Sequence, residues 1–288
     1  MTQPKYAADT PSAGGTMTDY RVGRGTVHSL HVYPVKACGG TDLGVAQIGP
    51  RGIVGDRLFA LVGPDHEVIT QRDHPVLATV RPRYADGVLT LAGAGRPAIE
   101  IVEDSTGPRV ATTVFGRPCP GIDQGRDAAA WFAEVIGEHC RLMRCPNDDG
   151  KKVNPANGDG QTAYSDAYPV TVVSVASLER LNDEIIEMGE EPVPMDRFRP
   201  NVVIAGWSRP HAEDDVERAQ LGTARLRLVK RDDRCVVTTV DQQTGERTHQ
   251  PLRALGRYRV IDHALLFGMF AMVERPGTVL VGDPVSVL

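Results

Sequence analysis

The sequence has little aromatic content, few cysteines and no long apolar run. Phe, Trp and Tyr account for 5% of the 288 residues, and the five cysteines are scattered. An odd number of cysteines without close spacing indicates neither a disulfide framework nor a zinc or iron–sulfur site. No apolar stretch is long enough to span a bilayer, so we expect no contact with a membrane.

A strong charge of either sign is also missing. The formal net charge is -5, with 41% hydrophobic and 24% charged residues, which is typical of a soluble globular protein. A mildly acidic chain gives no reason to expect a nucleic-acid partner. Residues 1–24 are polar and lack the apolar core of a signal peptide. We therefore predict a disordered tail over residues 1–24 and a cytoplasmic protein.

The chain from residue 25 to residue 145 is predicted to consist mainly of short strands. Gly, Pro and Asp separate these strands, and their close spacing is typical of an antiparallel sandwich or barrel. A helix is predicted over residues 127–139, with Asp127 as its N-cap and with Ala128, Trp131, Phe132, Val135 and Ile136 as one apolar face at helical spacing. The predicted strands cover residues 26–33, 43–48, 57–62, 67–70, 76–81, 88–91, 98–102, 110–115 and 141–145.

A polar segment rich in Asn, Asp, Gly and Pro occupies residues 146–160 and is the predicted domain boundary. Beyond it, a second helix is predicted to start at the cap residue Ser177 and to end at Gly189. A short helix or turn is predicted over residues 251–256. The predicted strands of this part cover residues 170–175, 201–205, 223–230, 235–240, 269–273 and 278–287.

Residues 234–245 contain the most promising candidate for a reactive group, a cysteine beside an arginine. Cys235 follows an arginine and precedes a β-branched run, which favours a strand that begins at the cysteine. A neighbouring cation favours the thiolate, the form that binds metals. One hypothesis is therefore that Cys235 holds a metal cofactor. The alternative is a small, buried apolar residue, and the residues alone leave both open.

Four basic residues recur at predicted strand ends: Lys36, Arg57, Arg199 and Arg234. If they converge on one cleft, they form a phosphate-binding site, in which arginine binds bidentately. The alternative is four separate surface residues.

Motifs of other chemistries are missing. The sequence has no dinucleotide-binding glycine motif, no phosphate-binding loop and no nucleophile elbow. His28 and His31 are predicted to lie on opposite faces of a strand, which argues against joint metal ligation. A hydrolase dyad of Cys235 with His249 or His263 stays open.

Six short motifs appear in a fixed order along the chain, and together they carry a family resemblance. They are Tyr-Pro-Val-Lys at 33–36, Gly-Asp-Arg at 55–57, Tyr-Ser-Asp at 164–166, Arg-Phe-Arg-Pro-Asn at 197–201, Arg-Cys-Val-Val-Thr-Thr-Val-Asp at 234–241 and Val-Gly-Asp-Pro at 281–284. The set resembles the MOSC-domain proteins, in the branch of the mitochondrial amidoxime-reducing component and its bacterial relatives. The resemblance begins near Gly25 and implies an α+β, mostly β fold. It implies an N-terminal MOSC-type β-barrel domain over residues 25–144 and a C-terminal MOSC β-barrel domain over residues 145–288.

The resemblance also implies a molybdenum cofactor (Mo-molybdopterin) between the two domains, with Cys235 as the protein ligand of the metal. Lys36, Arg57 and Arg199 match contacts to the pterin and its phosphate. Asp166 is implied as a proton-handling or supporting group, with a plain turn aspartate as the alternative. The other positions matched to the cofactor site are Ala37, Asp166, Ala167, Tyr168, Asp233, Arg234 and Phe270. Asp232 and Asp233 depart from the family pattern and oppose an anionic cofactor unless they are paired.

The implied reaction is the reduction of N-hydroxylated substrates, amidoximes or hydroxylamines, to amidines or amines. No ferredoxin domain follows the last motif, so we expect electrons from a separate redox protein, which is a ferredoxin, a flavoprotein or a cytochrome b5-like protein. Two alternatives stay open. One is a carrier that binds the cofactor without turnover, and the other is a sulfur transferase that works through a Cys235 persulfide.

Overall fold

The computed structural model describes residues 22–288. The tail predicted over residues 1–24 lies outside the described residues except for its last three. Of these, Val22 is fully buried in the apolar core. The strands are β1 Gly25–Val32, β2 Thr41–Leu43, β3 Val45–Gly49, β4 Gly52–Ile53, β5 Phe59–Val62, β6 Arg83–Ala85, β7 Val88–Gly93, β8 Arg96–Val102, β9 Arg109–Val110, β10 Thr113–Val114, β11 Arg117–Pro118, β12 Gly121–Asp123, β13 Arg141–Arg144, β14 Lys151–Lys152, β15 Gln161–Thr162, β16 Val170–Ser174, β17 Val202–Ala205, β18 Arg218–Leu221, β19 Ala224–Asp233, β20 Val260–Ile261, β21 Ala264–Arg275, β22 Gly277–Leu280 and β23 Pro284–Val287.

Helices are few in the described part of the chain. The α-helices are α1 Arg126–Ile136, α2 Val175–Glu187 and α3 Leu252–Tyr258. Short 3-10 turns lie at Pro75–Thr79, Pro155–Asn157, Met195–Phe198, Ala212–Asp215 and Val236–Thr239. No helix within residues 22–288 has both the length and the apolar character that crossing a bilayer requires. The prediction of an α+β, mostly β fold is confirmed.

Seven strands close into a barrel in the order β16, β17, β1, β23, β18, β19 and β21, and β21 pairs back to β16. Neighbours in this ring are antiparallel except for β16 and β17, which run parallel. β1 shows how the sequence produces the barrel. Its Val27, Leu30 and Val32 are buried in the apolar core, while polar residues between them face outward.

A second apolar core lies in the segment from β5 to β13. The strands β5, β13, β12 and β9 form one sheet, and β6, β7 and β8 form another. Helix α1 packs here through Trp131 and Phe132, and the indole of Trp131 donates to the carbonyl of Pro97 at 2.9 Å. The amphipathic spacing that predicted this helix thus marks its buried face.

Strand pairing joins the start of the chain to its later part. β1 pairs with β17 and β23, and β3 pairs with β22. Residues 25–53 therefore share sheets with strands that follow residue 200. The division between residues 144 and 145 stays a prediction.

The strand predicted over residues 235–240 is wrong. These residues leave the end of β19 and form the 3-10 turn Val236–Thr239. The hydroxyls of Thr238 and Thr239 donate to the carbonyls three residues earlier, at 3.0 and 2.7 Å. Such local bonds replace ladder bonds, so they outweigh the β propensity of the branched residues.

The strand predicted over residues 76–81 is also wrong. Its place is taken by the 3-10 turn Pro75–Thr79, in which Thr79 donates to the carbonyl of Val76 at 2.8 Å. Proline at the first position fixes a helical φ, which initiates the turn. The strand predicted over residues 67–70 is reduced to isolated bridges.

Both predicted helix caps are wrong by two or three residues. Helix α1 begins after Gly125, whose φ of 91° needs glycine, and Asp127 lies in the first turn. The cap of α2 is Ser174, whose hydroxyl accepts from the amide of Ser177 at 3.2 Å. The hydroxyl of Ser177 donates instead to buried Glu213 at 2.7 Å.

Candidate functional site

A cleft lies between the barrel and the N-terminal sheets. Its walls come from the loops after β1 and β4, the segments 70–72, 165–171 and 197–201, the hairpin of β10 and β11, the end of β19 with the turn that follows it, and β21. The cleft gathers ten of the eleven residues predicted for the site: Lys36, Ala37, Arg57, Asp166, Tyr168, Arg199, Asp233, Arg234, Cys235 and Phe270. Ala167 does not line it and packs behind, beside Tyr168 and Phe270.

Cys235 presents its sulfur to this cleft. It is half-buried, whereas the other four cysteines are buried, and all five are free thiols. The Nη2 atom of Arg72 donates to the Sγ atom at 3.2 Å. The amide of Arg234 donates to the carbonyl of Leu265 at 2.7 Å, which anchors the residue before the cysteine to β21. The sulfur is thus held at the end of a rigid element.

Arg57 and Arg199 are fixed against one aromatic ring. Their guanidinium carbons lie 4.2 and 4.4 Å from the ring centre of Tyr33. Arg57 also pairs with Asp56 at 2.6 Å, and Arg199 donates to the carbonyl of Cys38 at 2.6 Å. Burial raises the pKa of Tyr33, so this ring stays neutral between the two cations.

Three lining residues hold the left-handed backbone conformation that favours glycine. The φ angles are 69° at Ala37, 45° at Arg57 and 50° at Arg199. Strained backbone of this kind persists where the surroundings fix it, and it concentrates at functional sites. The strain is independent support for a functional role of this cleft.

Lys36 and Asp166 form an ion pair on the cleft wall. The lysine is buried, and this burial lowers its pKa, which the carboxylate partly offsets. Burial acts to raise the pKa of Asp166, but the attraction of Lys36 outweighs it and lowers the pKa to about 2. The half-exposed Asp166 is therefore a carboxylate at neutral pH, a hydrogen-bond acceptor rather than an acid.

The two acidic residues before the Arg-Cys pair are both paired. Asp232 is buried 2.8 Å from the Nη2 atom of Arg234, and Asp233 lies 2.5 Å from Lys230. Burial raises the pKa of Asp232 to about 7, against the attraction of Arg234. The pairing removes much of the repulsion that these carboxylates would exert on an anion.

Arg234 itself is tied behind the cleft. Its Nε atom donates to the carbonyl of Phe267 at 2.8 Å and its Nη1 atom to that of Phe198 at 3.1 Å. The Nη2 atom lies 2.8 Å from Asp232 in a buried ion pair. Arg234 thus adds positive charge to the cleft from a fixed position, with its guanidinium contacts made inside the protein.

Sequence reasoning missed several residues of the cleft. Arg72 and Gln71 come from a loop with no local motif, and Phe115 comes from a hairpin turn. Arg197 stands beside the predicted Arg199, but it donates to the carbonyl of Thr239 at 2.9 Å and thereby braces the 3-10 turn after the cysteine. The motif at 197–201, which begins with Arg197, was the available signal for this residue.

The side chains of the cleft suit a negatively charged cofactor whose metal is bound by one protein thiolate. Six basic and three acidic side chains line it. Within residues 22–288 there is no group of three or more His, Cys, Asp or Glu able to hold a metal ion. The donors present are one cysteine sulfur and several guanidinium N–H groups, which suit a soft metal and a phosphate respectively.

Comparison with protein families assigns both halves of the chain. Residues 24–139 match the MOSC N-terminal beta barrel domain, and residues 159–286 match the MOSC domain. These ranges include the residues on both walls of the cleft.

Comparison with characterised proteins finds relatives over most of the chain. Mitochondrial amidoxime-reducing component 1 of Mus musculus is 34% identical over 92% of this chain and 82% of its own length. The protein of the same name from Homo sapiens is 31% identical over 92% of this chain and 83% of its own length. A molybdenum cofactor sulfurase of Danio rerio is 27% identical over 85% of this chain, which spans 31% of that protein.

Proposed function

Because the chain belongs to the family of MOSC-domain proteins that includes the mitochondrial amidoxime-reducing components, we propose that it is a molybdenum-cofactor-dependent reductase of N-hydroxylated compounds. The substrates are amidoximes or hydroxylamines, and the products are amidines or amines. The N–O bond breaks, two electrons and two protons are taken up, and the oxygen leaves as water. A separate redox protein, which is a ferredoxin, a flavoprotein or a cytochrome b5-like protein, supplies the electrons.

The observation that carries this proposal is the Cys235 sulfur, half-buried in a cleft lined by six basic side chains. A thiolate binds a soft, redox-active metal, and fixed cations bind the phosphate of a pterin cofactor. Cys235 would bind the metal. Lys36, Arg57 and Arg199 would neutralise the pterin phosphate, and Arg234 would add positive charge to the anion site.

The cofactor, when bound, supplies the two-electron chemistry, and the protein supplies binding, orientation and electrostatics. Arg72 stabilises negative charge on the sulfur through its hydrogen bond of 3.2 Å. Asp166 holds Lys36 in place. The Asp232 carboxyl, with a pKa of about 7, is a group on the cleft wall that can hold a proton at neutral pH.

The decisive experiment removes the sulfur. Protein produced in a host that makes the cofactor is analysed for molybdenum and assayed with reduced viologen and benzamidoxime. Cys235→Ala is expected to lose both molybdenum and turnover. Cys140→Ala removes a buried cysteine of the second apolar core. It is the matched control and should keep both molybdenum and turnover. A Cys235→Ala variant that retains molybdenum and activity contradicts the assignment.

The same preparation separates the competing functions. A cofactor carrier would bind molybdenum, show no turnover with viologen, and transfer the cofactor to an apo-enzyme. A sulfur transferase would form a Cys235 persulfide without molybdenum, which alkylation and mass spectrometry detect. Turnover of benzamidoxime without a persulfide supports the reductase.

A further inference from the structure

Phe115 is unusual among the aromatic residues of the described chain. It is 45% exposed, whereas every other Phe, Tyr and Trp within residues 22–288 is buried or partly buried. An isolated exposed apolar residue is common and needs no explanation by itself. Phe115, however, lines the cleft that holds Cys235.

The backbone at Phe115 is unfavourable for a phenylalanine. Phe115 and Gly116 form the two-residue turn between β10 and β11, with φ angles of 51° and 70°. A turn with positive φ at both positions favours Asn, Asp or Gly at the first one. The hairpin between β6 and β7 follows this preference, because Asp86 and Gly87 occupy the same positions with φ angles of 51° and 75°.

Other contacts hold the strained turn in place. The carboxylate of Glu67 accepts hydrogen bonds from the backbone amides of Phe115 and Gly116 and from the hydroxyl of Thr113. A residue disfavoured by its backbone, yet fixed by a dedicated carboxylate, indicates that its side chain has a use.

The ring of Phe115 lies close to the sulfur that would bind the metal. The guanidinium carbon of Arg72 is 4.5 Å from the ring centre, and the Nη2 atom of the same side chain is 3.2 Å from the sulfur of Cys235. The Nζ atom of Lys36 is 5.4 Å from the ring centre. A substrate that reaches the metal with its N–O group would therefore place the rest of its body near this ring.

We infer that Phe115 is the substrate-binding platform of the cleft and selects N-hydroxylated compounds whose amidoxime group is conjugated to a flat aromatic ring. The inference rests on the proposed function, whose substrate class it narrows. The exposed ring offers an apolar, planar surface on which an aryl group stacks, while an alkyl substrate gains little from it.

The test compares benzamidoxime with acetamidoxime, which lacks the ring, using cofactor-loaded protein and reduced viologen. Phe115→Asn suits the backbone of the turn, so the fold should be kept. This variant is expected to lose about five- to tenfold in kcat/KM for benzamidoxime, the scale of one stacking contact. Its kcat/KM for acetamidoxime should stay within about twofold. Phe115→Trp keeps an aromatic surface and should keep the preference for benzamidoxime.

A matched control tests whether a change in a hairpin turn by itself alters turnover. Asp86→Ala changes the equivalent hairpin position away from the cleft and should leave both substrates unaffected. Equal losses for both substrates in Phe115→Asn overturn the inference. So does a loss of molybdenum from that variant, because the ring would then serve the cofactor.

A binding measurement tests the inference apart from turnover. The product amidines benzamidine and acetamidine are titrated into the same loaded proteins. Tighter binding of benzamidine that disappears in Phe115→Asn supports the platform even if neither amidoxime is reduced, a result that would contradict the proposed reductase alone. Equal affinities of wild type and Phe115→Asn for benzamidine overturn the platform.

Discussion

Asp232 is a residue whose environment differs strongly from that of an ordinary carboxyl. Its pKa is raised from 3.8 to about 7 by burial, while Arg234 lies 2.8 Å away. The folded protein therefore holds this proton more tightly than the unfolded chain does. The resulting stabilisation is fully present below about pH 3.8 and is lost as the pH rises through about 7.

We predict that Asp232→Asn weakens the pH dependence of stability. Between pH 5 and pH 8 the wild type should lose about 1–3 kcal/mol more unfolding free energy than the variant, because asparagine does not ionise. Urea denaturation of the cofactor-free proteins at several pH values measures this difference. The other titratable groups are the same in both proteins, so their contributions cancel in the comparison. Parallel pH profiles would show that Asp232 ionises normally.

At the scale of single residues, the sequence showed which charged and reactive side chains could form the site. It did not show which residues have a strained backbone. The basic residues at strand ends and the cysteine beside an arginine were visible as residue types, and the structure brings them into one cleft. Arg72 and Phe115 carry no such signal, because their positions depend on the path of loops. The left-handed backbone at Ala37, Arg57 and Arg199 was equally invisible, since propensities favour other residues there.

Among the elements, the 3-10 turn Val236–Thr239 matters most for the site. It follows the cysteine directly, and its fixed shape determines where the sulfur points. The hydroxyl of Thr239 donates to the carbonyl of Val236 at 2.7 Å, and Arg197 donates to the carbonyl of Thr239 at 2.9 Å.

We predict that Thr239→Val destabilises the protein by about 0.5–1.5 kcal/mol, because the variant keeps the shape of the side chain but loses one hydrogen bond. The urea midpoint measures the change. Thr239→Ser keeps the hydroxyl and controls for the bond. A Thr239→Val variant that is as stable as the wild type would show that this hydrogen bond makes no net contribution to stability.

Helices and strands were predicted correctly where the spacing of apolar residues favoured only one kind of secondary structure. Helix α1 and strands β1 and β19 have regular spacings of apolar residues, and the structure contains all three. The turn Val236–Thr239 was misread because threonine favours strands by shape while its hydroxyl favours local bonds. Which preference prevails depends on tertiary contacts such as that of Arg197.

At the scale of the whole molecule, the barrel is assembled from distant parts of the chain. β1 lies between β17 and β23, and β3 pairs with β22. The side chains Val27 and Leu30 of β1 are buried in the same core as Val285 of β23. The barrel thus depends on strands from the first fifth of the sequence.

We predict that a fragment of residues 145–288 does not fold cooperatively by itself. Without β1, the edges of β17 and β23 are unpaired and the apolar core is open. Near-ultraviolet circular dichroism and urea titration measure this. The control is the same fragment mixed with a peptide of residues 22–53, which should restore a transition in part. A cooperative transition of the fragment alone would support a self-sufficient domain that starts at residue 145.

The position of β1 in the barrel also constrains the order of events during translation. β1 leaves the ribosome long before β17 and β23, with which it pairs. Until those strands emerge, its apolar side chains have no partners and are open to aggregation or to chaperones. Lys36, four residues after β1, has no cleft to face during this time. The proposed cofactor could thus load only after β23 has been synthesised, when the chain can close the barrel.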